Sequence, residues 1–437
     1  MMINRPRYID ELLKKRWNGR VKIITGIRRC GKSFLLTKLY KEYLIEEGVK
    51  EKCFIEIALD RKAHIKYRNP NKLYEYIVGR TTDVNTRYYV FIDEIQLSLR
   101  VKNTEIDEDM VPEDDKDMLY TTFYDILNDL MARKNLDIYV TGSNSKMLSS
   151  DIVTNFRDRG TEIKVYPLSF KEFYEASGLE KADAIEEYLT YGGMPLAVLE
   201  QNEKEKQQYL LGLHKNVYIK DIVERYKLKD DEVLDALIDS LYSAVGSLSN
   251  THNLANAAST LLQRTTSDHT VKSYINYLED SYLFLNAKRY NIKGKKYFDS
   301  TRKYYAIDLG LRNAKLNFRQ QEKSHLMENL IFLELIQRGF SVDVGVVELT
   351  RVNEGKKTQS QYEIDFIVNT GREKIYIQSA LNIDSDDKRK QETFSLKNSG
   401  DFFKKMVILD GNAKPWTDEE GIVYVGLIPF LLDDSIL

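Results

Sequence analysis

The stretch Val21-Lys22-Ile23-Ile24-Thr25-Gly26-Ile27-Arg28-Arg29-Cys30-Gly31-Lys32-Ser33-Phe34 decides the fold of this chain. An apolar run is followed by the spacing Gly-x-x-x-x-Gly-Lys-Ser, which predicts a strand, a phosphate-binding loop and a helix. The two glycines permit a tight loop whose backbone N–H groups surround anionic oxygens. Lys32 supplies a point charge for the β- and γ-phosphates, and Ser33 supplies a hydroxyl for Mg²⁺. The predicted nucleotide-binding residues are Gly26, Ile27, Arg28, Arg29, Cys30, Gly31, Lys32, Ser33 and Phe34.

A later apolar run, Arg87-Tyr88-Tyr89-Val90-Phe91-Ile92-Asp93-Glu94, ends in two carboxylates, which is the Walker B pattern. The carboxyl ends of parallel strands meet at one edge of a sheet, so these acids are expected beside the phosphate loop. We predict that Asp93, together with Ser33, holds Mg²⁺, the aspartate acting through water. Glu94 is expected to orient or deprotonate the attacking water.

Polar residues follow another strand-like run, Asp137–Gly142. A side chain here, Ser143 or Asn144, can lie between Walker B and the γ-phosphate, although the same residues also suit a helix cap. Arg159 is a candidate finger for the γ-phosphate bound by a neighbouring subunit, because the transferred phosphoryl group needs a fixed cation. A surface arginine is the alternative. The predicted catalytic residues are Lys32, Asp93, Glu94, Ser143, Asn144 and Arg159.

The order of the elements indicates an α/β fold. Strand-like runs alternate with helical patterns after the phosphate loop, which predicts a P-loop three-layer α/β/α sandwich on a parallel sheet. The guanine-reading pattern Asn-Lys-x-Asp is not met by Asn71-Lys72-Leu73-Tyr74. ATP with Mg²⁺ is therefore expected rather than GTP.

Four segments together resemble the bacterial and archaeal AAA-type ATPases fused to an uncharacterised C-terminal domain, which lie near the AAA+ and STAND ATPases. The segments are Ile23–Ser33, Phe91–Gln96, Tyr139–Asn144 and Tyr166–Phe173. The resemblance implies ATP hydrolysis and a helical lid that moves between nucleotide states. In that family Gly-Arg precedes the Pro-Leu-Ser-Phe segment. Here Asp158-Arg159 stands in its place, so the arginine is kept and the glycine is lost.

The length of the chain, 437 residues, predicts more than one domain. We predict an AAA-type ATPase domain over 1–167, a helical lid or linker over 168–230, a winged-helix domain over 231–315 and a nuclease-like domain over 316–437. The winged-helix prediction depends on two amphipathic helices followed by a hairpin with a basic tip. Its second helix is expected in a DNA major groove, although Glu279 and Asp280 make its charge mixed and winged helices also bind proteins. The predicted phosphate contacts are Lys293, Lys295, Lys296, Arg302 and Lys303.

The last segment resembles the core of a PD-(D/E)XK nuclease. Such sites need two carboxylates to hold Mg²⁺ and a lysine to position water. Asp365 matches the first strand acid, and Glu328 matches a carboxylate on the preceding helix. Gln378 occupies the position of the second strand acid, and Ala380 occupies that of the lysine. We therefore expect an α/β nuclease-like fold without nuclease activity.

Composition narrows the class of protein. Lys and Arg total 65 against 67 Asp and Glu, so net charge favours neither a nucleic-acid coat protein nor a membrane-surface protein. Two cysteines are too few for a disulfide framework, and the apolar runs are too short to span a bilayer. We expect a cytoplasmic ATPase that binds ATP and, through the winged helix, DNA, with a homo-oligomer as a further expectation. The alternatives are a STAND-like assembly switch without DNA binding and an ATP-gated, Mg²⁺-dependent nuclease.

Overall fold

The chain forms two compact units, Met1–Tyr166 and Pro167–Leu437, which are treated separately below. The computed structural model describes residues 2–142, 160–228, 230–319, 322–353 and 356–437. Ser143, Asn144 and Arg159, which the sequence proposes as catalytic residues, lie outside the described residues. The segments predicted as lid, winged helix and nuclease-like domain belong to the second unit. The division of the whole chain into four domains stays a prediction.

The described strands of the first unit are β1 (Val21–Thr25), β2 (Phe54–Ala58), β3 (Tyr88–Asp93), β4 (Val101–Lys102), β5 (Tyr120–Thr121), β6 (Leu136–Thr141) and β7 (Gly160–Lys164). Five of them form a parallel sheet in the order β2-β3-β6-β1-β7. The two short strands β4 and β5 pair with each other outside it. Because β6 lies between β1 and β3, its carboxyl end lies between the phosphate loop and the Walker B acids.

Helices cover both faces of this sheet. Helices Pro70–Arg80 and Phe123–Met131 pack against one face in a core that includes Val21 and Ile23. Side chains alternate along a strand, so the opposite face carries Phe91 and Tyr139, whose rings lie 6.3 and 5.4 Å from that of Tyr40. Tyr40 belongs to the helix that follows the phosphate loop. The parallel α/β architecture predicted from the sequence is confirmed.

The helix after the phosphate loop has three successive parts. It is α-helical over Lys32–Phe34, π-helical over Leu35–Tyr40 and α-helical again over Lys41–Glu46. A shorter helix, Pro6–Lys15, precedes β1 and buries Tyr8 and Leu12. A π-helical insertion widens one turn, and such insertions are frequent at functional sites.

The described strands of the second unit are β8 (Leu248–Ser249), β9 (Phe284–Asn291), β10 (Lys296–Ala306), β11 (Ser341–Asn353), β12 (Lys356–Asn369), β13 (Lys374–Ala380), β14 (Lys404–Leu409), β15 (Trp416–Thr417) and β16 (Ile422–Gly426). They form one sheet in the order β15-β16-β14-β13-β12-β11-β9-β10-β8. The hairpin β9–β10 is joined to the later strands because β9 pairs in parallel with β11, Val344 lying opposite Arg289. The predicted winged-helix hairpin and the predicted nuclease-like strands therefore share a sheet.

The second unit also contains helices, some packed on the sheet and others on neighbouring helices. Their bounds are Phe170–Ser177, Lys181–Tyr191, Pro195–Leu199, Glu203–Leu213, Lys220–Tyr226, Asp231–Ser243, Thr251–Leu262, Asp268–Asp280, Leu309–Lys315, Lys323–Gln337, Asp386–Lys397 and Leu427–Leu432, with a π-helical segment at His214–Ile219. Phe170 and Tyr188 share one hydrophobic core with Leu330 and Phe366, so the first two helices pack into the body of the unit. The lid role of the segment 168–230 stays a prediction.

Candidate functional site

The phosphate loop, Gly26–Gly31, has the backbone that its glycines permit. Gly26 has φ 136° and Gly31 has φ 98°, both in the region that side chains disfavour, and Arg29 between them has φ 62°. A Cβ atom on Gly26 would lie 2.0 Å from the carbonyl oxygen of Val165. Glycine is therefore required at position 26 both by the backbone angle and by the close approach of the chain after β7.

Lys32 folds back beneath the loop that precedes it. Its side chain is 5% exposed, and its Nζ donates hydrogen bonds of 2.9 Å to the carbonyl oxygens of Gly26 and Ile27. An ammonium group has three N–H donors, and two of them are used in these bonds. The charge of Lys32 is thus held within the curve of the loop.

The carboxyl ends of β3 and β6 meet the phosphate-loop helix, as the sequence predicts for Walker B. Ser33 Oγ donates a hydrogen bond of 2.8 Å to Asp93 Oδ1, and Thr141 Oγ1 donates to the same oxygen. The backbone N–H of Glu94 donates to Thr141 Oγ1 at 3.1 Å. Hydroxyl and carboxylate oxygens are the hard ligands that Mg²⁺ prefers, and protein sites usually give it one or two carboxylates besides phosphate oxygens. This donor set fits Mg²⁺.

Glu94 has a backbone conformation that is uncommon outside glycine. Its φ and ψ are 54° and 50°, in the left-handed region that costs about 1–3 kcal/mol when tertiary contacts impose it. The side chain accepts a hydrogen bond from Gln96 Nε2. Burial raises the pKa of Glu94, Lys32 opposes that shift, and Asp93 adds to it. A carboxyl whose pKa is raised toward neutrality suits a general base.

Arg5 contacts the phosphate loop, a role that the sequence analysis missed. The side chain is 4% exposed and donates to the carbonyl oxygens of Cys30 at 3.2 Å and Tyr166 at 2.9 Å. Tyr8 lies 4.4 Å beneath its guanidinium group, and the Tyr8 hydroxyl accepts from the N–H of Tyr166 at 3.0 Å. Arg5 thus joins the loop to the chain after β7. A lone arginine before an N-terminal helix carries no motif by which this role could be predicted.

The remaining residues of the predicted nucleotide site differ in exposure. Ile27 and Cys30 are buried, and the Cys30 thiol donates to the Val165 carbonyl oxygen at 3.4 Å. Arg28 is half-buried, Arg29 is exposed, and Phe34 is 44% exposed. Thr141, the last residue of β6, places a polar side chain between the loop helix and Walker B. The sequence could have indicated this role of Thr141, because it is the polar residue that ends the apolar run of β6.

A second group of ionic side chains lies in the second unit, and we call it the Lys303 cluster: Lys303, Glu328, Glu363 and Asp365. Lys303 Nζ lies 2.8 Å from Glu328 Oε1, 2.7 Å from Glu363 Oε1 and 3.6 Å from Asp365 Oδ1. Its side chain is 3% exposed. The prediction that Lys303 touches a DNA phosphate is therefore wrong, because its charge is buried among carboxylates of its own chain.

The residues of the predicted degenerate nuclease site come together in the structure. Glu328 and Asp365 share Lys303, and the N–H of Asp365 donates to Gln378 Oε1 at 3.4 Å. Ala380 ends β13 and is buried. Glu363 was not predicted, although its position two residues before Asp365 places both side chains on one face of β12. Within the described ranges, no group of three or more His, Cys, Asp or Glu is arranged to hold a metal ion.

The other basic residues of the hairpin differ from Lys303. Lys293, Lys295 and Lys296 are exposed at its tip. Arg302 is half-buried, and its guanidinium group donates to Asn286 Oδ1 at 3.5 Å. Glu279, an acidic residue of the helix Asp268–Asp280, accepts a hydrogen bond from Asn286 Nδ2 at 2.5 Å.

In the part of the chain that is described, no helix has the length and apolar character needed to cross a membrane.

Two family models and two relatives match this chain. Residues 18–174 match the family model of an AAA domain, and residues 182–322 match a domain of unknown function, DUF8612. An uncharacterized protein of Haemophilus influenzae is 30% identical over 436 residues, which cover 99% of both chains. An uncharacterized protein of Methanocaldococcus jannaschii is 29% identical over 85% of this chain and 77% of its own. This chain belongs to the family of the Haemophilus protein and contains an AAA domain.

Among solved structures, the chain is similar to the ORC1 protein of Aeropyrum pernix in complex with DNA. The two are 12% identical, the similarity covers 72% of this chain and 93% of that chain, and the TM-score is 0.28. It is also similar to Cdc6p of Pyrobaculum aerophilum, with 11% identity, 74% and 93% covered, and a TM-score of 0.27. Scores this low support no conclusion about the whole chain.

Proposed function

We propose that this member of an AAA-domain family is an Mg²⁺-dependent ATPase whose nucleotide state controls DNA binding by its second unit. The hydrogen bond from Ser33 to Asp93 is the observation that carries the proposal. It joins the residue after the phosphate-loop lysine to the Walker B aspartate, and these are the two groups from which P-loop proteins build their metal site. An accidental turn with the same motif would not bring this aspartate to the serine.

Triphosphate binding is assigned to the loop. The positive φ angles of Gly26, Arg29 and Gly31 support a concave backbone whose N–H groups face an anion. The helix that begins at Lys32 adds the positive end of its dipole. Lys32 contributes its third N–H to the β- and γ-phosphates while the loop carbonyls hold its position.

Ser33 and Asp93 are assigned to Mg²⁺, the aspartate acting through water. When bound, the ion neutralises charge that develops on the β- and γ-phosphate oxygens. Thr141 is a positioning residue, because its hydroxyl holds the Asp93 carboxylate and accepts the N–H of Glu94.

Hydrolysis is assigned to Glu94 as the group that orients and deprotonates water. Its raised pKa makes it a stronger base, and Gln96 fixes the orientation of its carboxylate. Ser143 and Asn144 stay proposed as γ-phosphate contacts. Arg159 stays proposed as a finger that acts between copies of the chain in a homo-oligomer.

DNA binding is assigned to the segment that runs from helix Asp231–Ser243 to β10. A helix, a short strand, two further helices and a hairpin follow one another in the order of a winged helix. Lys293, Lys295 and Lys296 are exposed at the hairpin tip. Beside the helix Asp268–Asp280 is a cavity of about 360 Å³ with a polar lining of Asn250, Thr251, His252, Lys272, Asn276, Glu279, Arg302 and Tyr304 together with Ile275. Lys272, Arg302 and the amide and hydroxyl groups of this lining suit phosphate contacts, whereas the carboxylate of Glu279 supplies no donor.

ATP hydrolysis by the full chain, measured with and without double-stranded DNA, tests the proposal. Wild-type protein is expected to hydrolyse ATP and to be stimulated by DNA, while a Lys32→Ala variant shows neither. A triple Glu variant at Lys293, Lys295 and Lys296 is expected to keep basal hydrolysis and lose the stimulation. A hydrolysis rate that DNA does not change, together with oligomers that form only in one nucleotide state, would instead support a signalling switch of the STAND type.

A further inference from the structure

The Lys303 cluster gathers three carboxylates from two elements around one ammonium group that a third element supplies. Glu328 comes from helix Lys323–Gln337, and Glu363 and Asp365 come from β12. Lys303 comes from β10, in the hairpin that joins this sheet through β9. A charge this deeply buried is stable only when it is paired and hydrogen-bonded. The three carboxylates therefore hold the Lys303 side chain inside the unit, and it does not lie on the surface of the hairpin.

Further protein donors hold two of the carboxylates in place, on the oxygen that Lys303 contacts in Glu328 and on the opposite oxygen in Asp365. The Tyr305 hydroxyl donates to Glu328 Oε1 at 2.8 Å, and the Ser379 N–H donates to Asp365 Oδ2 at 2.8 Å. A Cβ atom on Gly246 would lie 3.1 Å from the Glu328 carboxyl group, so glycine there leaves room for it. The site is thus built around its cation by residues from several elements.

The charges of the cluster determine which cation it accepts. Burial lowers the pKa of Lys303, but Glu328, Asp365 and Glu363 together outweigh burial and raise it, so the ammonium stays charged. Burial and the Glu328 charge raise the pKa of Asp365 to about 7, while Lys303 opposes them. A pKa of about 7 leaves Asp365 partly protonated at neutral pH, and burial also raises the pKa of Glu328. Three carboxyl groups around one ammonium still leave an excess of negative charge in a buried place. Such a place favours a cation of higher charge once the ammonium is removed.

We propose that the ammonium group of Lys303 is the resident cation of this carboxylate site and excludes divalent metal ions from it. The residues that would hold Mg²⁺ in a nuclease-like site, Glu328 and Asp365, are bound to Lys303 instead. Gln378 adds an amide where a further acid would supply negative charge. The ATP-gated nuclease alternative is unsupported for this reason. The same geometry implies a latent site for divalent cations that the loss of Lys303 exposes.

Mn²⁺ binding without nucleotide tests the proposal, and it does not depend on ATPase activity. Full-length wild type, Lys303→Met and Lys296→Met are titrated with Mn²⁺, with the EPR signal of free Mn²⁺ as readout. Lys296 lies on the same strand but is exposed, so it controls for loss of a lysine from β10. The Lys303→Met variant is expected to bind one Mn²⁺ ion more per chain than wild type and the Lys296→Met variant. Its melting temperature is expected to be several degrees below wild type in EDTA and to rise with Mn²⁺.

Two further variants keep the test decisive. Adding Glu328→Gln to Lys303→Met is expected to abolish the extra Mn²⁺, while Glu328→Gln alone leaves the wild-type stoichiometry unchanged. The proposal is overturned if wild type binds an Mn²⁺ that Glu328→Gln loses, because the site would then hold metal despite Lys303. It is also overturned if Lys303→Met gains no Mn²⁺, or stays insoluble when it is purified with Mn²⁺.

Discussion

Ser33 Oγ and Asp93 Oδ1 are joined by a hydrogen bond of 2.8 Å, although 60 residues separate them in the chain. The bond links the first turn after the phosphate loop to the end of β3, across the strand β6 that lies between β1 and β3. Thr141 at the end of β6 donates to the same Asp93 oxygen. The helix after the phosphate loop and the strands β3 and β6 thus meet at the Asp93 carboxylate, and this meeting makes specific predictions possible.

Removing the Thr141 hydroxyl is expected to slow hydrolysis without preventing nucleotide binding. Thr141→Ala loses a hydrogen bond to a carboxylate, which contributes about 1.5–3 kcal/mol, or about 10- to 100-fold in rate when the loss falls on the transition state. Thr141→Ser keeps the hydroxyl and is the matched control. Steady-state kcat and the Kd for ATP give the readout. Equal kcat for the alanine and serine variants would mean that this hydroxyl does not position Asp93 or Glu94.

Removing the Gln96 amide is expected to move the pH dependence of hydrolysis. The hydrogen bond from Gln96 lowers the pKa of Glu94 against the larger effect of burial, so Gln96→Ala raises that pKa further. A base is active when deprotonated, and the acidic limb of the kcat profile should therefore shift to higher pH. Glu94→Gln, which has no carboxyl to titrate, serves as the control. An unchanged limb in Gln96→Ala would show that another group sets it.

Gly26→Ala is expected to destabilise the first unit as well as to impair nucleotide binding. The new Cβ would meet the Val165 carbonyl oxygen at 2.0 Å, and the backbone has φ 136°. Strain of this kind costs about 1–3 kcal/mol before the clash is counted. Gly19→Ala has a positive φ of 72° with no atom within 4 Å of the added Cβ, so it reports the cost of a left-handed backbone without a clash. In urea unfolding, the Gly26 variant should have the lower midpoint. Equal midpoints would contradict the close approach of Val165.

The burial of His214 predicts that the second unit becomes less stable to unfolding as the pH falls. Its ring is 3% exposed, and burial, assisted by Lys315, lowers its pKa to about 4 from 6.5. Between these values the unfolded chain binds a proton that the folded chain does not, so stability falls as pH decreases from 6.5 to 4. The loss approaches about 1.4 kcal/mol per pH unit within that window.

His214→Gln removes this titration and should flatten the dependence of unfolding free energy on pH between 6.5 and 4. His269 is exposed, so His269→Gln is the control and should keep the wild-type slope. Urea unfolding at several pH values measures the slopes. A wild-type slope in the His214 variant would assign the acid sensitivity to other groups.

Local patterns allowed the strands and the nucleotide motif of the first unit to be predicted from the sequence. The run before Gly26 became β1 as predicted, and the run that ends in Asp93 became β3 with its acids at the expected edge. Such runs are buried in a parallel sheet, so their composition alone marks them. Arg5 could not be found in this way, because it donates to backbone carbonyl oxygens that no motif specifies. The bond from Gln96 to the Glu94 side chain depends on the turn after β3, which the apolar run does not predict.

The misassigned role of Lys303 has a physical cause in long-range pairing. From the sequence, Lys303 appeared with the basic residues of the hairpin. Its neighbours Tyr304 and Tyr305 are buried, which a run of aromatic residues could have indicated. The partner Glu328 lies on a helix 25 residues later, and β9 meets β11 only through a parallel pairing between distant segments. Local periodicity carries no information about such pairings.

Single-turnover hydrolysis of γ-³²P-labelled ATP, measured beside equilibrium ATP binding, tests the central claim most directly. Wild type is expected to bind ATP with Mg²⁺ and to release phosphate. Lys32→Ala should fail to bind, and Glu94→Gln should bind as tightly as wild type while releasing phosphate at least about 100-fold more slowly, as loss of a general base implies. Normal phosphate release by Glu94→Gln, or unchanged ATP binding by Lys32→Ala, would contradict the assignment of this site.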